Sequence, residues 1–258
     1  MEVSKIIKNQ EIAPGMMDMW ILNESVAKGA VPGQFLSLYC EEESRLLPRP
    51  ISICEVRKET KEVRLVYRIV GDGTCEFGAK REGDTIRVMG PLGNGFSIQK
   101  APAILVGGGV GIPPLLELAK AMKMSNEVSS ITIVLGYRDQ NLFLKNEFEA
   151  YGKVLVATED GSVGYHGNVM QALLDMDCTN SVLYACGPKP MLAALASFAK
   201  DQGISAQVSM EERMACGIGA CLACVCKTKD KDHHTKVNNT RVCKEGPVFD
   251  SETIDWER

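Results

Sequence analysis

The chain has 258 residues, 45% hydrophobic and 24% charged, with a formal net charge of −4 from 29 basic and 33 acidic residues. At about 150 residues per domain, this ordinary globular composition suggests two domains with room for a small third. It excludes the cationic excess that drives binding to nucleic acid or anionic membranes, and it excludes a membrane-spanning helix. The longest uncharged run, 101–116, holds three prolines and four glycines, where a span needs about 20 mostly apolar residues.

Residues 1–100 read as short strands: 19–22, 34–39, 51–56, 63–70 and 85–89. Between them stand turn signals at Pro32-Gly33, Gly71-Asp72-Gly73, Glu82-Gly83-Asp84, Gly90-Pro91 and Gly93-Asn94-Gly95. This spacing predicts a small antiparallel barrel. At about residue 101 the pattern changes to alternating strands and helices. Strands are expected at 103–106, 131–135, 153–157, 181–186 and 206–210. Helices are expected at 113–124, 144–151, 168–176 and 189–202, the last ended by Gly203. Such alternation predicts a doubly wound parallel α/β domain over 101–210. Residues 211–258 lose the periodicity and are rich in Cys, Lys, Asp and Gly. So short a segment has little core of its own and is expected to need a metal. The N-terminus has no apolar signal core, so the expected location is the cytoplasm.

Ten cysteines are many for a reducing compartment, and four of them (216, 221, 224 and 226) crowd into eleven residues. Cys216-x4-Cys221-x2-Cys224, followed at a distance by Cys243, has the plant-type [2Fe–2S] spacing. Four thiolates would serve two irons, with Gly217 and Gly219 letting the backbone wrap closely and small Ala220 and Ala223 leaving room for sulfide. Cys226 lies on the same side of an extended strand as Cys224 and could compete as a ligand. A structural zinc site, helped by His233 or His234, is the rival reading, although paired C-x2-C knuckles are missing. Cys40, Cys54, Cys75 and Cys178 have no partner pattern and are expected to be small buried hydrophobes.

Two glycine turns follow predicted strands. Val106-Gly107-Gly108-Gly109-Val110-Gly111 opens a helix, which suits a dinucleotide phosphate, although Ile112 breaks the G-x-G-x-x-G pattern. Cys186-Gly187-Pro188 is the second, and both turns lie at strand carboxyl ends, where α/β sheets bind ligands. In the barrel segment, Arg49 of Arg49-Pro50-Ile51-Ser52 could pair with a phosphate and Ser52 could bond a flavin edge. Val66-Tyr67-Arg68 offers an aromatic face beside a cation. Gly71-Asp72-Gly73-Thr74 offers backbone N–H groups to a pyrophosphate.

Together the strings RPIS, YRIVGDGT, GPLGNGF, VGGGVGIPP and CGPKPM resemble the ferredoxin–NADP reductase superfamily over about 1–210. The tail, MEERMACGIGACLACVC and then VCKEGPVFD, resembles one branch, the electron-transfer subunits of class 1B dihydroorotate dehydrogenase. The resemblance implies an FAD-binding β-barrel (1–100), an NAD-binding α/β domain (101–210) and a small C-terminal iron–sulfur domain (211–258). It places FAD contacts on Arg49, Pro50, Ile51, Ser52, Val66, Tyr67, Arg68, Gly73 and Thr74. NAD contacts fall on Gly108, Gly109, Gly111, Cys186 and Gly187. The [2Fe–2S] ligands fall on Cys216, Cys221, Cys224 and Cys243, with Cys226 a spare thiol.

The implied function is an oxidoreductase subunit of pyrimidine biosynthesis, with diaphorase activity when alone. It would pass electrons from the FMN of a catalytic partner subunit through the cluster and FAD to NAD+. Two copies of each subunit would form a heterotetramer, docked at the exposed face near the cluster. A flavin exchanges either one or two electrons and so belongs between the other carriers. The same residues fit a ferredoxin:NADP oxidoreductase subunit, a hydrogenase diaphorase subunit, or a metal-binding regulator without activity. Arg138 and Asp139 stand together after the 131–135 strand, so charge leaves NAD against NADP open, and NAD is expected from the resemblance.

Overall fold

A computed structural model of the chain describes residues 1–231 and 236–256. His233 and His234, the candidate zinc ligands, lie outside the described residues.

Six strands close an antiparallel barrel: β1 (Glu2–Ala13), β2 (Met16–Leu22), β3 (Phe35–Tyr39), β4 (Arg49–Arg57), β5 (Glu62–Arg68) and β6 (Thr85–Leu92). Their order is β1-β2-β5-β4-β3-β6, with β1 pairing back onto β6. Alternate residues fill the interior, among them Ile6, Met19, Ile21, Leu36, Leu38, Leu65 and Val88. β1 was not expected from the sequence. Most of its side chains are at least partly exposed, with only Ser4 and Ile6 buried, so its apolar alternation is nearly silent. Two short helices complete this half, α1 (Glu24–Gly29) and α2 (Asp72–Ala79). α1 is capped by Asn23, whose side chain accepts from Val26 N at 2.9 Å. α2 corrects the reading of Gly71-Asp72-Gly73 as a turn: these residues start a helix. Cys75, expected to be buried, is exposed on it, whereas Cys40, Cys54 and Cys178 are buried.

The second half is a seven-stranded sheet built from β7 (Ala103–Gly108), β8 (Ile131–Tyr137), β9 (Lys153–Thr158), β10 (Tyr165–His166), β11 (Val182–Cys186), β12 (Ser205–Ser209) and a strand from the tail. The order is β10-β9-β8-β7-β11-β12, all parallel. Strands run outward from β7 to β10, and the chain then returns to the other side of β7 as β11. The switch point between β7 and β11 is where such sheets open a ligand crevice.

Helices cover both faces. α3 (Pro114–Ser125) and α4 (Lys145–Phe148) pack with Leu105 of β7, while α5 (Val169–Leu174) and α6 (Lys189–Gln202) pack with Ile104 and Val106. α4 is shorter than expected, four residues in place of 144–151.

The tail is interleaved with both halves. β13 (Val225–Lys227) and β14 (Asn239–Arg241) form a hairpin, and β15 (Val248–Asp250) joins the large sheet antiparallel to β12. Asn94, at the end of the barrel segment, donates through Nδ2 to the carbonyls of Lys244 (3.2 Å) and Glu245 (2.9 Å). Among the described residues no helix is long and apolar enough to cross a membrane.

A buried ion network joins the barrel to the α/β half. Arg64 of β5 donates to Asp18 from Nε (2.7 Å) and Nη2 (3.1 Å), and to Glu147 of α4 from Nη1 (2.5 Å) and Nη2 (3.0 Å). Its guanidinium also lies 5.3 Å from the Trp20 ring centroid.

Candidate active site

Three candidate sites adjoin one another. The first is a cavity of about 430 Å³ at the barrel mouth. Arg49, Pro50, Ile51 and Ser52 of β4 line it, with Val66, Tyr67 and Arg68 of β5 and Thr74 of α2. Gly73 does not line it but holds its wall: a Cβ there would come 2.4 Å from Arg49 Nε. The guanidinium is thus laid against the start of α2, where first-turn N–H groups have no intrahelical acceptor. Arg49 also donates to the Leu47 carbonyl. A cation and a helix N-terminus beside an apolar slot fit the pyrophosphate and ring system of a flavin dinucleotide.

Tyr67 lines the cavity and also belongs to the barrel core. Its ring packs 6.4 Å from Phe77 in an edge contact and is almost wholly buried.

Sequence reasoning missed the opposite wall of this cavity. It is made by Val110, Cys186, Ser209, Met210, Glu211, Glu212 and Met214, with Phe35 and Pro247. Residues 210–214 lead directly into the thiol loop. Burial pushes the Cys186 thiol up to about 12, with Glu211 adding to this, so it stands as a neutral thiol. The Glu211 carboxyl is held above the usual carboxylate range by the protein packed around it, although the residue keeps access to solvent.

The second site is a cleft of about 550 Å³ at the switch point of the sheet, lined by Gly108, Gly109, Gly136, Arg138, Asp139, Glu159, Asn168 and Met191 among others. Arg68 and Val110 line both this cleft and the barrel cavity, so the two are adjoining. Gly111, Cys186 and Gly187, expected as NAD contacts, are not among its lining residues, and Cys186 lines the barrel cavity instead. Gly111 is a close-packing point between the two turns, where a Cβ would sit 2.2 Å from the Cys186 carbonyl oxygen and 2.5 Å from Gly187 N. Gly111→Ala must push these backbones apart, a change costing about 1–3 kcal/mol. The expected result is a lower Tm and a raised KM for NADH. An unaltered Tm and KM would show that the turns do not need this contact.

The third site is the thiol loop. Gly217 (φ +69°) and Gly219 (φ +83°) adopt left-handed conformations that fold the loop back on itself. Cys216 and Cys221 Sγ lie 3.3 Å apart, and Cys221 N donates to Cys216 Sγ at 3.4 Å. Cys243 N donates to Cys224 Sγ at 3.4 Å, and Gly219 N donates to Cys243 Sγ at 3.2 Å. The thiols therefore come as two pairs, 216 with 221 and 224 with 243. Among the described residues no three Cys, His, Asp or Glu side chains converge on a single-ion site. Two dithiol pairs supplied with N–H donors suit a binuclear cluster, two thiolates per iron, better than one tetrahedral zinc.

Burial resists ionisation of Cys216, but N–H groups of Cys221, Ile218 and Ala220 aimed at its sulfur bring the thiol down to about 6. Burial, with Cys224 alongside, pushes Cys243 up to about 12. Arg241 braces the loop by donating to the Gly219 carbonyl at 2.8 Å while paired with Glu245. Cys226 is buried on β13, its thiol pushed up to about 11 by burial.

Comparison with known proteins adds to this geometry. A family model for the iron–sulfur cluster binding domain of dihydroorotate dehydrogenase B matches residues 211–255, and one for an oxidoreductase NAD-binding domain matches residues 105–197. The chain is 43% identical to the dihydroorotate dehydrogenase B (NAD(+)) electron transfer subunit of Listeria monocytogenes serotype 4a (strain HCC23), covering 97% of each. It is 39% identical to the protein of that name from Streptococcus pneumoniae (strain ATCC BAA-255 / R6), covering 98% of each. Among solved structures it is similar to a chain of an NADH-dependent reduced ferredoxin-NADP oxidoreductase studied for flavin-based electron bifurcation. That match has a TM-score of 0.87 and 34% identity, over 100% of this chain and 91% of that one. The Malassezia yamatoensis flavohemoglobin shares the fold at a TM-score of 0.67 and 20% identity, over 80% of this chain and 59% of that one.

Proposed function

The chain belongs to the family of dihydroorotate dehydrogenase B (NAD(+)) electron transfer subunits, and from that premise we propose that it takes electrons from a catalytic partner subunit and delivers them to NAD+ by way of a [2Fe–2S] cluster and FAD. One observation carries the reading: the thiol loop, the barrel cavity and the dinucleotide cleft are contiguous. Residues 210–214 join the first two, and Arg68 with Val110 joins the second two. When bound, nicotinamide exchanges hydride, the cluster exchanges single electrons, and flavin does both.

The chain's own residues bind and orient. Arg49 and the N-terminus of α2 hold the flavin pyrophosphate, with Gly73 and Thr74 keeping that corner compact. Pro50, Ile51 and Ser52 would hold the flavin ring system, with Val66, Tyr67 and Arg68 on the adjoining strand. Gly108 and Gly109 let NAD approach the sheet, while Gly111, Cys186 and Gly187 fix the two turns against each other. Asp139 and Glu159 give the cleft acidic groups that suit a ribose hydroxyl, Arg138 lines the same cleft, and the choice of NAD over NADP follows from the family rather than from charge. Cys216, Cys221, Cys224 and Cys243 ligate the two irons.

The partner carries FMN and the dihydroorotate chemistry, and two copies of each subunit assemble in the cytoplasm. Ile218 and Leu222, exposed on the thiol loop, belong to its docking face.

Arg49→Met removes a charge-assisted contact of about 1.5–3 kcal/mol. FAD should bind roughly 10- to 150-fold more weakly, as each 1.4 kcal/mol is tenfold. Flavin retained on gel filtration and a fluorescence titration measure this. Undiminished affinity would remove Arg49 from the flavin site.

The reading as a whole is tested by purifying the chain with whatever binds it and assaying flavin, iron, sulfide and dihydroorotate-linked NADH formation together. A yellow-brown complex that forms NADH from dihydroorotate is expected. A complex with flavin and iron but no dihydroorotate oxidation would favour the ferredoxin-linked reductase reading, to which the 34% identical structure lends weight.

A further inference from the structure

We propose that the Ser37 hydroxyl is a hydrogen-bond donor to the iron–sulfur group from the barrel side, and that it tunes the potential of that group. The inference rests on Cys216, Cys221, Cys224 and Cys243 being the ligands.

Ser37 sits at the middle of β3. Its neighbours Leu36 and Leu38 point into the barrel core, so alternation turns Ser37 outward. Outward here is not solvent. Ser37 is 1% exposed. Its Oγ is one of three buried side-chain polar atoms among the described residues that lack a hydrogen-bond partner. The other two, Asn9 Oδ1 and Tyr67 OH, belong to adjacent side chains at the barrel wall. A small adjustment lets them serve each other. Ser37 is placed differently, against the loop that carries the thiols. Burying a hydroxyl without a partner costs about 1–3 kcal/mol, so an acceptor outside the protein atoms is expected.

The position of the hydroxyl identifies that acceptor. A Cβ added to Gly217, the residue after Cys216, would lie 2.8 Å from Ser37 Oγ. Gly217 is buried and left-handed, so the loop presents bare backbone there and leaves the hydroxyl room. Ser37 does not line the flavin cavity, whereas Phe35, two residues earlier on the same face, does. In the β3–β4 register Ser37 stands opposite Pro50, and Phe35 opposite Ser52. The outward face of β3 thus separates the flavin strand from the thiol loop, and its one orphaned donor meets the loop. A cluster or cysteinyl sulfur is the acceptor that fits. A hydrogen bond to sulfur favours the reduced, more negative state and raises the potential.

The test uses the full chain in complex with its catalytic partner, loaded with flavin and cluster. Redox titrations followed by EPR compare the wild type with Ser37→Ala and Ser37→Thr. The cluster midpoint should move negative and its g-values shift in Ser37→Ala, with the flavin midpoint unmoved. Ser37→Thr, which keeps the hydroxyl, should return both toward wild type. Electron–nuclear double resonance of the reduced wild type, in H2O against D2O, should show an exchangeable proton coupled to the cluster, and this proton should be missing in Ser37→Ala.

A Ser37→Ala protein with full iron and sulfide and an unchanged midpoint and spectrum would overturn the proposal, as would a hydroxyl held by trapped water, which gives that same result. Should Ser37→Ala fail to load, Ser37→Gly, which also lacks the hydroxyl, takes its place, and an unchanged midpoint and proton spectrum in it overturn the proposal. A wild type without iron, sulfide or an EPR signal would instead overturn the ligand assignment, and the inference with it.

Discussion

Cys221→Ser lowers electron delivery from the catalytic partner to NAD+ by more than about a hundredfold, while NADH oxidation with an artificial acceptor continues near the wild-type rate. The size follows from the chemistry of the donor set. Loss of a supporting group around a metal costs about 10- to 100-fold, and Cys221 is itself one of the four thiols. It sits 3.3 Å from Cys216 and donates its backbone N–H to that sulfur, so the change disturbs one complete pair. The barrel cavity and the dinucleotide cleft contain no atom of Cys221, which is why the flavin–nicotinamide half should survive.

Cys226→Ser provides the contrast. Cys226 is buried in β13 and stands outside both thiol pairs, 216 with 221 and 224 with 243, so it should neither replace Cys221 nor be missed. Stopped-flow reduction by the partner, with diaphorase turnover and iron content on the same samples, checks both. Simultaneous loss of diaphorase activity in Cys221→Ser, with flavin and fold intact, would contradict the division of labour.

Arg64→Met should destabilise the protein by about 3–5 kcal/mol, the usual cost of leaving a buried charge uncompensated. Asp18 is the reason. It is 1% exposed, and without Arg64 its remaining cation is Lys8 at 3.7 Å, half in solvent. Glu147 at the other end of the network is 44% exposed, so Glu147→Gln should cost no more than about 1 kcal/mol. That asymmetry separates charge burial from a generic loss of contact. Thermal or urea unfolding measures it, and comparable losses in the two variants would refute the account. Arg64→Met also unties the barrel from α4, so the melt should lose cooperativity between the halves.

What could be read from the sequence was what is local. The spacing of Cys216, Cys221 and Cys224 is a property of one loop, and the fold brings the distant Cys243 to it. α6 could be read to the residue because Gly203 stops it in the left-handed conformation. Other features depend on distant chain. β1 hides its two buried side chains among exposed Glu and Lys. Gly71-Asp72-Gly73 looks like a hairpin because glycine marks turns, yet Thr74 Oγ1 accepts from Gly71 N at 3.1 Å and closes a helix start. The side to which the Tyr67 ring turns depends on strand register. The far wall of the flavin cavity comes from residues 209–214, whose placement depends on where β12 ends. Nothing in the tail sequence announces β15.

That last strand bears on how the molecule is made. β15 pairs with β12 along the flank of the large sheet, although the thiol loop and the β13–β14 hairpin stand between the two strands in the chain. The barrel can close early in synthesis, but β12 keeps a flank of unpaired amides and carbonyls bare until residues 248–250 have emerged. A nascent polypeptide in that state is open to sticking to its neighbours. Iron held by Cys243 would anchor the stretch just ahead of β15 and so favour its pairing with β12.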